Sequence, residues 1–182
     1  LENNKQIKIG KLEDCEEKNN GGLILYQDKI KKNNKYKIKM WIDKDYENKA
    51  LTVVSTLKGA VYFFADLMKY INIDCQFEFI KASSYSGTQS TGSVNITYMP
   101  TTELTNRHII IVEDIIDTGT TLSAVIKELE KLNPASIEMA CLLDKPSMRK
   151  IKTLQPKYIG FSIPNEFVVG FGLDYDEEYR NL

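Results

Sequence analysis

The sequence predicts an α/β fold, a mainly parallel twisted sheet flanked by helices. Short apolar, β-prone segments alternate with segments whose apolar residues recur every three or four positions, the pattern of strands joined through helices. Residues 109–112 form an unbroken apolar run, Ile-Ile-Ile-Val, which suits a strand covered on both faces as in a parallel sheet. That run ends in Glu113 and Asp114, then Asp117, and then the turn Thr118-Gly119-Thr120-Thr121 ahead of a helical segment. Ligands collect at such carboxyl ends in open α/β sheets.

Taken in order, residues 1–22 are rich in Lys, Glu and Asn and close on Gly21-Gly22. So little apolar surface predicts a mobile arm over 1–23, to which no function is assigned. Over 28–46 Ile30, Ile38 and Ile42 recur at near-helical spacing, predicting a modest amphipathic helix that Trp41 is expected to anchor to the core. Residues 51–56 are β-prone, Lys58-Gly59 makes a turn, and Phe63, Phe64, Leu67, Met68 and Ile71 mark one face of a helix over 60–71. Alternating strands at 75–81 and 94–98 flank a Ser/Gly/Thr-rich excursion at 82–93. The 109–112 strand feeds a helix carrying Leu122, Val125, Ile126, Leu129 and Leu132, stopped by Asn133-Pro134, and further strands follow at 137–143 and 158–163. Right-handed βαβ crossovers then build the parallel sheet and leave the chain ends over for a small cap.

Length and charge exclude several classes. The 182 residues, 42% of them hydrophobic, suit a single domain, placed at 24–182. With 24 basic against 25 acidic residues there is no global basic field for nucleic acid. No apolar stretch approaches the ~20 residues of a spanning helix, so no membrane partner is expected. Cys15, Cys75 and Cys141 are odd in number and widely spaced, which argues against a disulfide framework or zinc site and fits a reducing cytoplasm. The first residue is Leu1, not Met, so a fragment edge is expected there.

The residues after the central strand build a sugar-phosphate site. Ionised Glu113 and Asp114 accept hydrogen bonds from vicinal hydroxyls and suit a hard cation such as Mg²⁺. Thr118, Gly119, Thr120 and Thr121 offer hydroxyls and backbone N–H groups at a helix start, where orphan donors and the dipole favour phosphate. Asp117 stands where it could either cap that helix or exchange a proton. A lone Glu-Asp pair is more often a solvated loop, and a bare Lys-Gly an ordinary turn. The phosphate turn beside them shifts the balance toward function.

These residues resemble the 5-phosphoribosyl diphosphate (PRPP) signature of the type I phosphoribosyltransferases, within them the hypoxanthine-guanine branch. Leu57-Lys58-Gly59-Ala60 is similar to that branch's pyrophosphate loop, residues 83–88 to its mobile lid with Ser84 and Tyr85, and 167–175 to its purine pocket. The likeness runs from about 24 to 182. It implies the family's fold, with a hood from roughly 24–50 and 160–182, and a chain that stops short of relatives with a final segment. It implies transfer of 5-phosphoribosyl from PRPP to hypoxanthine or guanine, giving IMP or GMP and pyrophosphate, by a cytoplasmic homodimer or homotetramer that uses Mg²⁺.

The resemblance also assigns roles. Glu113 and Asp114 face the ribose hydroxyls and metal, and Thr118, Gly119, Thr120 and Thr121 hold the 5-phosphate. Asp117 is the catalytic base or acid at purine N7, in a site that a closed lid would dry. Lys58, Gly59 and Arg180 serve the leaving pyrophosphate, with the Leu57–Lys58 peptide often cis. Lys145 donates to the 6-oxo group, favouring 6-oxopurines over adenine, Phe167 stacks on the base, and backbone carbonyls of Val168 and Asp174 accept from the guanine 2-amino group. A second Mg²⁺ falls at Asp174. His108 is left as a surface residue at a strand start. A regulatory PRPP-binding module would need a basic face, and the near-neutral charge argues against it. Acceptance of xanthine would leave little trace, because position 2 is read through the backbone.

Overall fold

The computed structural model describes residues 6–8, 35–84 and 94–182. In chain order these form β1 (Gln6–Lys8), α1 (Lys35–Tyr46), β2 (Leu51–Leu57), α2 (Val61–Met68), β3 (Cys75–Ser84), β4 (Val94–Tyr98), β5 (His108–Ile116), α3 (Thr120–Glu130), β6 (Ser136–Asp144), a 3-10 turn at Pro146–Met148, β7 (Tyr158–Ser162) and β8 (Phe167–Val169). A six-stranded sheet runs in the order β4-β3-β2-β5-β6-β7. Its pairs are parallel except β3 with β4, which is antiparallel. The two strands that bracket the polar excursion are therefore antiparallel neighbours, with β4 at the sheet edge.

Helices cover both faces, as the apolar run of β5 requires. Ile110 and Val112 point to one side with Ile42 and Tyr46 of α1 and Phe63, Phe64 and Leu67 of α2. Ile109 and Ile111 point to the other with Leu122, Val125 and Leu129 of α3. Period-two alternation splits one strand between two cores, and full burial of each Leu or Phe contributes about 1.5–3 kcal/mol. Asn133 takes a φ of 51° just beyond α3, a left-handed position that Asn tolerates, before Pro134 prevents further helix.

One expectation needs correction. Trp41 does not anchor α1: it is 51% exposed while Ile42 is fully buried, because the helix presents Ile42 and Tyr46, four apart, to the core and turns the intervening face outward. Within the stretch read as an arm, Gln6–Lys8 pairs in parallel with Phe167–Val169 of β8. In the range given to the hood, α1 lies on the sheet, tied to β7 where the Tyr158 hydroxyl donates to Asp45 (2.7 Å) and Lys157 pairs with Asp45 (2.9 Å). Beyond β8 the chain folds back on itself, with Phe171 N donating to Leu182 O (2.7 Å) and Gly172 N to Arg180 O (2.9 Å). Among the described residues no helix is long and apolar enough to cross a membrane.

Candidate active site

A cavity of about 310 Å³ opens where β2 and β5 end and α3 begins, and its walls take in Asp174 and Arg180 from the C-terminal segment. Lys58 and Gly59 come from the turn after β2, Glu113, Asp114 and Asp117 from the end of β5, and 118–121 from the turn into α3. Adjacency of β2 and β5 in the sheet brings the two turns together, although they are far apart in sequence.

The Leu57–Lys58 peptide is cis. Beside it, a Cβ on Gly59 would stand 1.7 Å from Asp114 Oδ2. A Cβ on Gly172, at φ 100°, would stand 2.0 Å from the Gly59 carbonyl oxygen. Each glycine thus lets one layer of the site lie on the next. Lys58 Nζ donates to Glu177 Oε2 at 2.5 Å. Arg180 donates to the Gly172 carbonyl (2.7 Å) and pairs with Asp174 Oδ1 (3.0 Å).

The two acids at the end of β5 differ in surroundings. Glu113 is buried, and its Oε2 accepts a 2.6 Å bond from the Thr56 hydroxyl of the neighbouring strand. Burial pushes its carboxyl well above its ordinary 4.5, Asp114 adds repulsion, and the Thr56 hydroxyl opposes both. Asp114 is also raised by burial, against backbone N–H donors from Ile115 and itself and the nearby Arg180 charge. Among the described residues no three His, Cys, Asp or Glu side chains converge as a ready metal cage. The three positions expected to face metal are already engaged: Glu113 by Thr56, Asp114 by Ile115 N (2.8 Å), and Asp174 by Arg180 and by Glu177 N (2.9 Å).

Asp117 does not cap α3. Gly119 occupies the N-cap at φ 82° and supplies no side-chain cap, and the first helical N–H, Thr120 N, donates to the Thr118 hydroxyl at 3.4 Å. Asp117 instead stands 3.7 Å from Lys145 Nζ, and its buried Oδ1 has no hydrogen-bond partner. Lys145, at the end of β6, is only 6% exposed although it is a lysine. Thr118 and Thr120 hydroxyls lie 3.2 Å apart in the cavity wall. Behind this turn, buried Arg149 donates to the Asp117 carbonyl (3.0 Å) and the Leu154 carbonyl (2.7 Å) and pairs with Asp144. Lys150 N donates to the Thr118 carbonyl (3.0 Å).

Other expected residues lie apart from the cavity walls. Val168 is buried in β8, and Phe167 is 43% exposed with its ring edge-on to Tyr175 (5.7 Å, 88°). Ser84 ends β3, while Tyr85 and the rest of the expected lid, 85–93, fall outside the described residues. Thr56, Arg149 and Glu177 were not picked out from the sequence. Thr56 gave a weak signal as a polar residue closing an apolar strand, whereas Arg149 and Glu177 sit among other charges with no pattern to separate them.

Residues 24–176 match the family model described as the phosphoribosyl transferase domain. The chain belongs to the phosphoribosyltransferase family. It is 46% identical over 142 residues to the hypoxanthine-guanine phosphoribosyltransferase of Staphylococcus epidermidis, covering 78% of this chain and 79% of that one. Among solved structures it resembles the Staphylococcus aureus hypoxanthine phosphoribosyltransferase, with a TM-score of 0.80 at 42% identity over 85% of this chain and 84% of the other. The Trypanosoma cruzi hypoxanthine phosphoribosyltransferase, solved to address how its C-terminal region bears on oligomeric state and activity, gives a TM-score of 0.78 at 34% identity over 85% of this chain and 84% of the other. The phosphoribosyltransferase is thus an enzyme of the pentosyltransferase class, and its α/β sheet is the family's type I fold.

Proposed function

We infer that this phosphoribosyltransferase serves purine salvage, moving 5-phosphoribosyl from PRPP to hypoxanthine or guanine to yield IMP or GMP and pyrophosphate. The observation that carries this reading is the pairing of a buried lysine with an aspartate at the edge of a phosphate-binding turn: Lys145 Nζ stands 3.7 Å from Asp117 Oδ2. A lysine has donors only, so it selects a base whose 6-position accepts, as a 6-oxo group does and a 6-amino group does not. Beside it, the unpartnered Asp117 Oδ1 is a free acceptor for the proton at purine N7 as N9 attacks the anomeric carbon.

The remaining residues divide the work. The N–H groups and hydroxyls of Thr118, Gly119, Thr120 and Thr121 hold the 5-phosphate against the α3 N-terminus. Glu113 and Asp114 accept from the ribose hydroxyls. Lys58, the Gly59 backbone and Arg180 stabilise the negative charge that the departing pyrophosphate takes with the electron pair of the broken anomeric C–O bond, while positive charge develops on the oxocarbenium-like ribose. Phe167 with the Val168 and Asp174 carbonyls receives the base, and Ser84 and Tyr85 belong to the lid that excludes water.

Mg²⁺ fits this donor set. It is commonly held by one or two carboxylates plus substrate phosphate oxygens, so Asp114 and Asp174 in the cavity wall supply the protein's share once PRPP supplies the rest. Held there by carboxylates of Glu113, Asp114 and Asp174 in exchange for their present partners, the ion would neutralise charge on the leaving diphosphate. We place the enzyme in the cytoplasm as a homodimer or homotetramer, for which light scattering of the purified chain is the check.

A Mg²⁺-dependent assay with PRPP and each of the four purine bases tests the assignment. Hypoxanthine and guanine should yield nucleotide and pyrophosphate, and adenine should not. Turnover of adenine without turnover of either 6-oxopurine would overturn it.

A further inference from the structure

Asp176 and Glu177 occupy the two central positions of a hairpin turn whose flanking residues, Tyr175 and Glu178, exchange both backbone hydrogen bonds (3.2 and 3.0 Å). Their φ values of 52° and 66° put both in the left-handed region, the geometry of a type I′ turn. That turn favours Asn or Asp followed by Gly, because a Cβ is crowded at positive φ. Asp176 agrees with the preference and Glu177 does not. A side chain held against its backbone preference calls for a reason in what the side chain touches.

Glu177 touches both basic residues in the cavity wall. Its Oε2 takes the 2.5 Å bond from Lys58 Nζ, and its Oε1 lies 3.3 Å from Arg180 Nη2. Resting on the assignment of Lys58 and Arg180 to the leaving diphosphate, we propose that Glu177 is an internal competitor for that subsite. Its carboxylate occupies the two cations in the free enzyme, yields them when diphosphate enters, and takes them back as pyrophosphate leaves. A carboxylate and a diphosphate are both acceptors only, so they compete for the same N–H donors and repel each other when both are near. The Lys58 and Glu177 side chains are 52% and 64% exposed, so the pair is held weakly enough to exchange. Glu177 thereby sets how tightly the subsite keeps its product.

Binding of inorganic pyrophosphate with Mg²⁺ to the full chain, measured by calorimetry, tests this directly. Glu177→Gln and Glu177→Gly should each tighten pyrophosphate binding by about two- to five-fold, the worth of an exposed ion pair. The gain should shrink at high salt, which screens such pairs, and shrink again in a Lys58→Ala background, where one of the two contested cations is gone. A role confined to the fold would move neither dependence. Because Gly suits the turn better than Glu, Glu177→Gly should have a Tm no lower than the native chain. Equal or weaker pyrophosphate binding by both variants overturns the proposal and leaves the assigned reaction standing, provided the native chain binds pyrophosphate and turns over PRPP. A native chain that does neither overturns the reading of the site and the proposal with it.

Discussion

Asp114 packs onto Gly59 so closely that a methyl group on the glycine would sit 1.7 Å from Oδ2. The carboxylate at the end of β5 is therefore placed by the turn after β2. Gly59→Ala must push the Asp114 carboxylate aside by an ångström or more. Displacement of that size at a positioned group costs on the order of 10²-fold, which should appear in kcat/KM for PRPP. Circular dichroism should report an unchanged fold, because the residue lies in a turn at the cavity.

In the proposed mechanism Asp117 takes the N7 proton. Replacing it with Asn keeps the shape and removes the base, so kcat should fall about 10²- to 10⁴-fold while KM for PRPP changes little. Steady-state kinetics with hypoxanthine separates the two parameters. A kcat within threefold of native would remove the role.

Arg149 buttresses the same turn from behind. Its guanidinium and Asp144 are both 7% exposed, so Arg149→Met leaves Asp144 buried without its partner and should cost about 3–5 kcal/mol in urea unfolding. Adding Asp144→Leu should recover part of the loss, since a matched apolar pair no longer strands a charge. Activity should remain low in the double variant, because the Asp117 carbonyl has lost its donor.

The buried acids set a pH dependence of stability. Glu113 and Asp114 are raised above ordinary values of 4.5 and 3.8, so the folded state binds their protons more tightly than the unfolded chain does. That contribution is fully present below those ordinary values and is lost as pH rises through the raised ones. The ligand-free enzyme should thus gain Tm as pH drops from alkaline toward about 5. Glu113→Gln should flatten the trend in differential scanning calorimetry, and an identical slope in that variant would exclude Glu113 as its source.

The central strand and its turn were legible because each needs an unusual local sequence: four consecutive β-branched residues for a strand buried on both faces, then acids, then small hydroxyl residues at a helix start. The cis peptide at Leu57–Lys58 was expected on resemblance alone, since nothing in Leu-Lys-Gly specifies it physically. Trp41 was misplaced because hydrophobicity names residues that prefer burial but not the rotation of a weakly amphipathic helix, which Ile42 and Tyr46 decide. Phe77 and Phe79 marked β3 correctly as a strand, yet Phe77 is 56% exposed, leaning edge-on to Phe64 and Phe79, while Glu78 is buried and accepts from Thr102 N. Alternation shows that two faces exist. It does not say which one is inner at an edge.

By itself the sequence determined the alternation of strands and helices and the acids and small hydroxyl residues after the central strand, because these follow from periodicity, backbone propensity and local donor and acceptor chemistry, while the loops around that site were read from resemblance. Tertiary structure alone decided which distant residues share a charge or a hydrogen bond: Thr56 with Glu113, Lys145 with Asp117, Arg149 with Asp144, and Glu177 with Lys58 and Arg180. Strand order sets those meetings, and strand order depends on burying both faces of β5 at once, a condition met by the whole chain and by no segment of it.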